Sequence, residues 1–325
     1  MHGDRVNKVN IADTFSKKAA VNKLANAFWI FWLFTKSDFP TFVLPNTAFG
    51  LFGALAGDFL TTQKFTNNPE ILLRVPSVLI FNWSNLLIFD LANQRSPESV
   101  EEDKINKPWR PIPQQMITCD QTRRLTLLCI PCVFILNLFL GVSNETAALY
   151  TLTWLYNDLR GGDELFVRDG IIAIAFAFYN VGSLRVAMGD DALITEQGYI
   201  WTAIISGVIF TTMNIQDLRD EEGDRVRGRL TVTLAFGSAN TRKLLSCFIL
   251  FWSLVCSLFW SQSLWVILLP LSLGIHIVQR LVYRNGRVED TKTWRLWCLW
   301  TAILYMLPLS SKIFKVEQEN LSIQI

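Results

Sequence analysis

What most constrains this chain is a succession of long apolar segments separated by short charged ones. Nine are candidates for membrane-spanning helices: residues 39–57, 71–93, 125–143, 145–158, 167–187, 198–217, 243–261, 264–284 and 294–311. Crossing the hydrocarbon layer takes about 20 apolar residues, fewer if the helix ends are buried in protein; the fourth segment is the shortest. Only 18% of the 325 residues are charged, against about 25% in a soluble domain. The sequence therefore predicts an all-α integral membrane protein with nine transmembrane helices. Ahead of them, "VNKLANAFWIFWLFTKSD" mixes basic and aromatic residues and reads as a helix lying on the membrane surface. This divides the chain into an N-terminal cytosolic or interfacial segment, 1–36, and one transmembrane domain, 37–325. The first 26 residues lack the apolar core of a signal peptide, and Asp4, Asp13 and the scarcity of arginine argue against a mitochondrial leader.

Charge sets the orientation. With the N-terminus cytosolic, 25 of the 30 Lys and Arg fall on the cytosolic side, leaving Lys64, Arg74, Arg185, Lys312 and Lys315 opposite. Positive charge stays inside, so the C-terminus is expected in the lumen of the endoplasmic reticulum, with the sequons at Asn144 and Asn320 on that side. No basic block with interleaved aromatics offers a nucleic-acid surface, and no obligate protein partner is evident.

Several chemistries lack raw material. His2 and His276 are the only histidines, too few for zinc sites or Ser-His catalysis. Cys129 and Cys132 form a C-x-x-C pattern, but inside "LTLLCIPCVFILNLFL" they are expected to serve helix packing.

Charge instead gathers at two helix ends. In "NIQDLRDEEGDRVRGR", Asp217, Asp220 and Asp224 fall within an arc of about 60° on a helix. Such an oxygen-rich stripe suits Mg²⁺, which takes one or two carboxylates plus substrate phosphates; the alternative is a solvated charged loop. Asp90 sits in an apolar helix, where a carboxylate is costly and marks a functional position, with Gln94 one turn on. The loop beyond adds Lys104, Lys107 and Arg110. Two acidic helix ends, each followed by a basic loop, over an apolar bundle suit a molecule with a diphosphate head and a hydrocarbon tail. Metal and guanidinium groups would stabilise departing pyrophosphate, and aromatic faces would stabilise the carbocation. Trp83, Phe89, Phe176, Tyr179 and Trp201 are candidates for that lining, though each is also an ordinary packing residue.

These residues carry a resemblance. Asp217-Leu-Arg-Asp220-Glu-Glu-Gly-Asp224 with Gly228-Arg-Leu-Thr-Val-Thr-Leu (second motif, 214–234) resembles the second aspartate-rich motif of the UbiA superfamily of membrane prenyltransferases. "DLANQ…EEDKINKPWRPIP" (first motif, 85–113) is similar to its first. The family's Asn-x-x-x-Asp-x-x-x-Asp here reads Leu86, Asp90, Gln94, and the wording is closest to the fungal terpene-cyclase branch. The resemblance implies a UbiA-like fold: nine helices around a central cavity under a cytosolic cap. It also implies Mg²⁺ at Asp217, Asp220 and Asp224, with Asp90 and Gln94 contributing. Lys107, Arg110 and Arg225 would hold diphosphate, and Arg168 would face the phosphates from the loop after the fourth helix. The implied activity is cyclisation of farnesyl or geranylgeranyl diphosphate to a terpene hydrocarbon in secondary metabolism. Transfer of the prenyl chain to an aromatic or other acceptor is the alternative on the same fold. A multi-pass transporter with an acidic cation site is the alternative of another class.

Overall fold

The computed structural model describes residues 26–62, 69–189, 192–260 and 264–323. Among them every extended element is a helix, and one isolated bridge joins Thr61 to Ile194. The aromatic stretch before the first predicted span forms α1 (Asn26–Thr35); its residues 21–25 lie outside the described residues. Phe28 and Trp29 face outward, while Phe34 is buried with Leu87, Leu91 and Ile112. Pro40 falls in a π turn, Phe39–Val43, that opens α2 (Phe39–Leu55). After the helical turn Pro69–Leu73 comes α3 (Val75–Gln94), and then the short polar α4 (Pro97–Asn106), capped by Ser96. A reciprocal Thr118–Gln121 capping box starts α5 (Cys119–Phe139). The chain continues through α6 (Ser143–Asn157), α7 (Val167–Met188) and α8 (Glu196–Thr212). The acidic α9 (Asp217–Arg227) ends at Gly228, whose φ of +78° suits the missing Cβ. Then come α10 (Val232–Phe236), α11 (Ser238–Trp260), α12 (Leu264–Tyr283) and α13 (Arg287–Ile323).

All nine predicted spans are helical. Among the described residues, seven helical stretches are long and apolar enough to cross a membrane, and the segments at 39–55 and 143–157 are shorter. Several boundaries differ from expectation: the third span lies at Cys119–Phe139, and the seventh and ninth begin earlier, at Ser238 and Arg287. The sixth span does not run unbroken to Asp217, because Met213–Gln216 tightens into a 3₁₀ turn. Thr211 and Thr212 are held there by the Trp252 and Trp297 indole N–H groups, at 2.8 and 2.9 Å. The last helix continues well past 311, to Ile323.

Helix α7 is the central rod: two thirds of its apolar window is buried, against about a fifth for α5. It packs on α2 so closely that a Cβ on Gly50 would sit 2.5 Å from the Ser183 carbonyl oxygen. A buried link of Asn82 to Thr47 (3.1 Å) and Ser183 (2.8 Å) ties α3 to both. Cys129 and Cys132 lie on the peripheral α5 as free thiols.

At the end of the bundle where α7 begins, α4 lies across α9. The Asn106 amide donates to the Asp220 carbonyl at 3.1 Å. Gly223 allows the approach, since a Cβ there would fall 2.1 Å from Asn106 Nδ2.

Candidate active site

The 3₁₀ turn at Met213–Gln216 leads directly into α9, which carries the acids of the second motif. Asp217 and Asp224 are buried, Asp220 is half-buried, and all three line one cleft of about 80 Å³. Each has a cationic partner. Arg168, at the mouth of α7, grips Asp217 in a two-pronged contact of 2.7 and 3.1 Å and also reaches Asp169 at 3.0 Å. Arg229 meets Asp224 at 3.1 Å. Arg219 meets Asp220 at 3.2 Å while lying over the Trp294 ring.

The facing wall comes from α3, α4 and the elbow between α1 and α2. Arg110 binds both oxygens of Asp103 (2.8 and 3.0 Å) through one nitrogen and Asp38 (2.9 Å) through the other. Lys107 approaches Asp38 at 3.8 Å. Burial by itself would raise the Asp38 carboxyl, but Lys107, Arg110 and Arg219 outweigh it and hold it at about 2. Glu102 is likewise held below its ordinary value, burial being outweighed by Arg229, Arg227 and Lys107. Asp103 stays above its own because burial prevails over Arg110. Asp90, 1% exposed, lies against Asp38, and neither of its oxygens receives a hydrogen bond.

The cleft walls carry four basic groups (Lys107, Arg110, Arg168, Arg229) and five acids (Asp38, Glu102, Asp217, Asp220, Asp224), with Asp90 beside Asp38. With acids outnumbering bases on these walls, a polyanion binds more strongly when cations come with it. Among the described residues no three His, Cys, Asp or Glu side chains converge to hold a metal unaided. The expected Asp217–Asp220–Asp224 triad is therefore not a closed cage. The arrangement fits Mg²⁺ that borrows ligands from a phosphate, and the buried Asp224 Oδ2 and both Asp90 oxygens remain without donors.

Beneath the cleft lies an apolar pocket of about 30 Å³, and the two share Phe42, Phe89, Tyr156 and Ile172 as walls. Tyr179 lines the lower pocket, and Phe176 packs on Phe42 with ring centres 4.5 Å apart.

Of the residues predicted from sequence, Asp217, Asp220, Asp224, Lys107, Arg110, Arg168 and Phe89 meet in this cleft, with Asp90 against its Asp38 wall. Others do not. Arg225 is 69% exposed and pairs with Glu221 on the outer face of α9, about 100° round from Asp224; Arg229, after the Gly228 turn, takes the inward place instead. Gln94 donates to the Phe34 carbonyl at 2.9 Å and so anchors α1. Trp83 is turned to Thr35 and Phe28. Trp201, near the start of α8, packs on Phe259 and Trp260 at the far end of the bundle. Sequence reasoning did not assign Asp38, Glu102, Tyr156, Phe42 or Arg229 to the site. Arg229, within the quoted second motif, and Glu102, within the first, carried a visible signal.

Known proteins resemble this chain over most of its length. A somaliensene A/B synthase of Streptomyces somaliensis is 29% identical over 302 residues, covering 88% of this chain and 92% of that protein. A diterpene cyclase of Hericium erinaceus is 28% identical over 318 residues, 92% of this chain and 94% of the relative. A UbiA homolog from Archaeoglobus fulgidus bound to GPP and Mg²⁺ superposes with a TM-score of 0.58 at 10% identity, over 86% of this chain and 99% of that one, which shows a shared fold. Residues 51–300 match the UbiA prenyltransferase family, and the chain belongs to that family.

Proposed function

We propose that this protein is a membrane-bound, Mg²⁺-dependent terpene cyclase that converts farnesyl or geranylgeranyl diphosphate to a cyclic hydrocarbon and releases pyrophosphate in secondary metabolism. The observation that carries the reading is one cleft, rich in both charges, opening directly onto an aromatic pocket. The named activities of the two relatives support it. Lys107, Arg110, Arg168 and Arg229 hold the diphosphate oxygens, and Asp217, Asp220, Asp224 and Asp90 hold Mg²⁺. Bound there, Mg²⁺ supplies the positive charge that stabilises the departing pyrophosphate. The C–O bond breaks with its electron pair going to pyrophosphate. The allylic cation then faces Phe42, Phe89, Tyr156 and Tyr179, whose ring faces attract positive charge. Ring closure and transfer of a proton from the cyclic cation to the released pyrophosphate complete the reaction. The lower pocket is the size of about one water molecule, so a prenyl chain enters by displacing the walls it shares with the cleft, Phe42, Phe89, Tyr156 and Ile172.

The same reading has nine spans, the shorter helices at 39–55 and 143–157 being supported by burial against their neighbours. A central cavity lies under a cytosolic cap made by α4 and α9. The N-terminus is cytosolic and the C-terminus luminal in the endoplasmic reticulum, with residues 1–36 as the N-terminal cytosolic or interfacial segment. The test uses membranes containing the full chain, Mg²⁺ and geranyl, farnesyl or geranylgeranyl diphosphate with no acceptor. A cyclic hydrocarbon plus pyrophosphate is expected. Turnover only after a phenol or aromatic acid is added would replace this reading with acceptor prenylation.

A further inference from the structure

Asp90 is a buried acid whose surroundings offer it no hydrogen-bond donor. It is 1% exposed in an apolar helix, and no donor reaches either oxygen. The polar group against it is a second carboxylate, Asp38. Asn93 follows Asp90 by three residues, so it shares its helix face. It lines the same cleft, and its buried Oδ1 also lacks a donor. Three oxygen acceptors thus gather where no protein cation touches Asp90: Arg110 and Lys107 approach Asp38 instead. A set of acceptors with no donor is what a hard divalent cation requires.

We propose that Asp38 is a metal ligand, holding a divalent cation jointly with Asp90 and the Asn93 side-chain oxygen on the wall opposite Asp217. The inference rests on the reading that the substrate carries a diphosphate, whose oxygens complete the coordination. Arg110 makes the exchange feasible. One of its nitrogens keeps both contacts to Asp103, so the other can leave Asp38 for a phosphate oxygen without stranding a buried guanidinium. Asp38 then turns from counter-ion to ligand, and metal grips the diphosphate from both walls.

The test measures Mn²⁺ binding by electron paramagnetic resonance on the full chain in nanodiscs, with inorganic pyrophosphate as the probe anion. Asp38→Asn and Asp90→Asn are each expected to weaken Mn²⁺ binding by about tenfold or more, as loss of a metal-supporting group does. Because both act on one ion, the double variant should be little worse than either single one. Asn93→Ala should weaken Mn²⁺ while leaving metal-free pyrophosphate binding unchanged, and Asp38→Glu should restore Mn²⁺ binding if Asp38→Asn folds poorly. A wild-type chain that binds no Mn²⁺ with pyrophosphate, or single effects that multiply in the double variant, would overturn the proposal. So would an Asp38→Asn variant that binds metal-free pyrophosphate more tightly with Mn²⁺ affinity unchanged, since Asp38 would then be only a counter-ion. Failure of the cyclase reading looks different: Mn²⁺–pyrophosphate binds as described, yet no prenyl diphosphate is turned over.

Discussion

Replacing Arg168 with Met separates its pairing with Asp217 from the role proposed for it at the diphosphate. Arg168 and Asp217 are both buried and share two hydrogen bonds. Removing the cation leaves Asp217 uncompensated, which for a buried pair costs about 3–5 kcal/mol. At about 2 °C per kcal/mol for a chain of this size, the unfolding midpoint should fall by about 6–10 °C. Removing both charges, Arg168→Met with Asp217→Asn, should return more than half of that. Recovery stops short because Asp169 loses its 3.0 Å contact in either variant. Activity should behave oppositely: losing one group that stabilises developing charge lowers turnover by about 10²–10³, and the double variant recovers none of it. The assay pairs fluorescence-detected unfolding in detergent with pyrophosphate release from farnesyl and geranylgeranyl diphosphate. A double variant as unstable as Arg168→Met would refute the idea that the guanidinium balances Asp217. Recovered turnover would refute its role at the phosphates.

Three further outcomes follow from the site. Arg229→Ala should lower turnover by about 10²-fold, whereas Arg225→Ala should leave it within about twofold, surface substitutions being nearly neutral; pyrophosphate release decides between them. Gly223→Ala should push Asn106 off α9 and destabilise the chain by about 1–3 kcal/mol, and adding Asn106→Ala should relieve the clash, both read as unfolding midpoints. Asp38 has a folded value of about 2, below its ordinary 3.8. It therefore contributes stability that is complete above about pH 4 and is lost as pH falls toward 2, a difference of about 2 kcal/mol. Unfolding midpoints at pH 6 and pH 3 should therefore differ less in Asp38→Asn than in the wild type.

Local chemistry made part of this site legible in sequence. Asp90 stood out because a carboxylate in an apolar helix is costly, and Asp217, Asp220 and Asp224 because their spacing places them on one face. Arg168, Lys107 and Arg110 followed from basic loops beside those acids. Arg225 was misassigned because nearness in sequence to Asp224 is not nearness on a helix, and the Gly228 turn brings Arg229 inward in its place. Asp38 had no local signal. It closes a basic-aromatic stretch that reads as membrane interface, and its partners lie at 90, 107 and 110. The 3₁₀ turn at Met213–Gln216 was also hidden, since the indoles that hold it come from α11 and α13. Gln94 kept the spacing of a ligand but is held by Phe34, which only the packing of α1 reveals.

The central rod α7 has one more consequence. It carries Arg168 at its mouth and Tyr179 eleven residues deeper, a span of about 16 Å along one helix. In the proposed reaction the leaving group and the far end of the hydrocarbon would therefore be measured against a single stiff ruler, clamped by α2 at Gly50. Insertions in the surrounding loops cannot change that distance. New ring skeletons would instead have to come from the residues facing the ruler, such as Phe42 on α2 and Phe89 on α3, which can change in bulk while the gap between charge and chain end stays fixed.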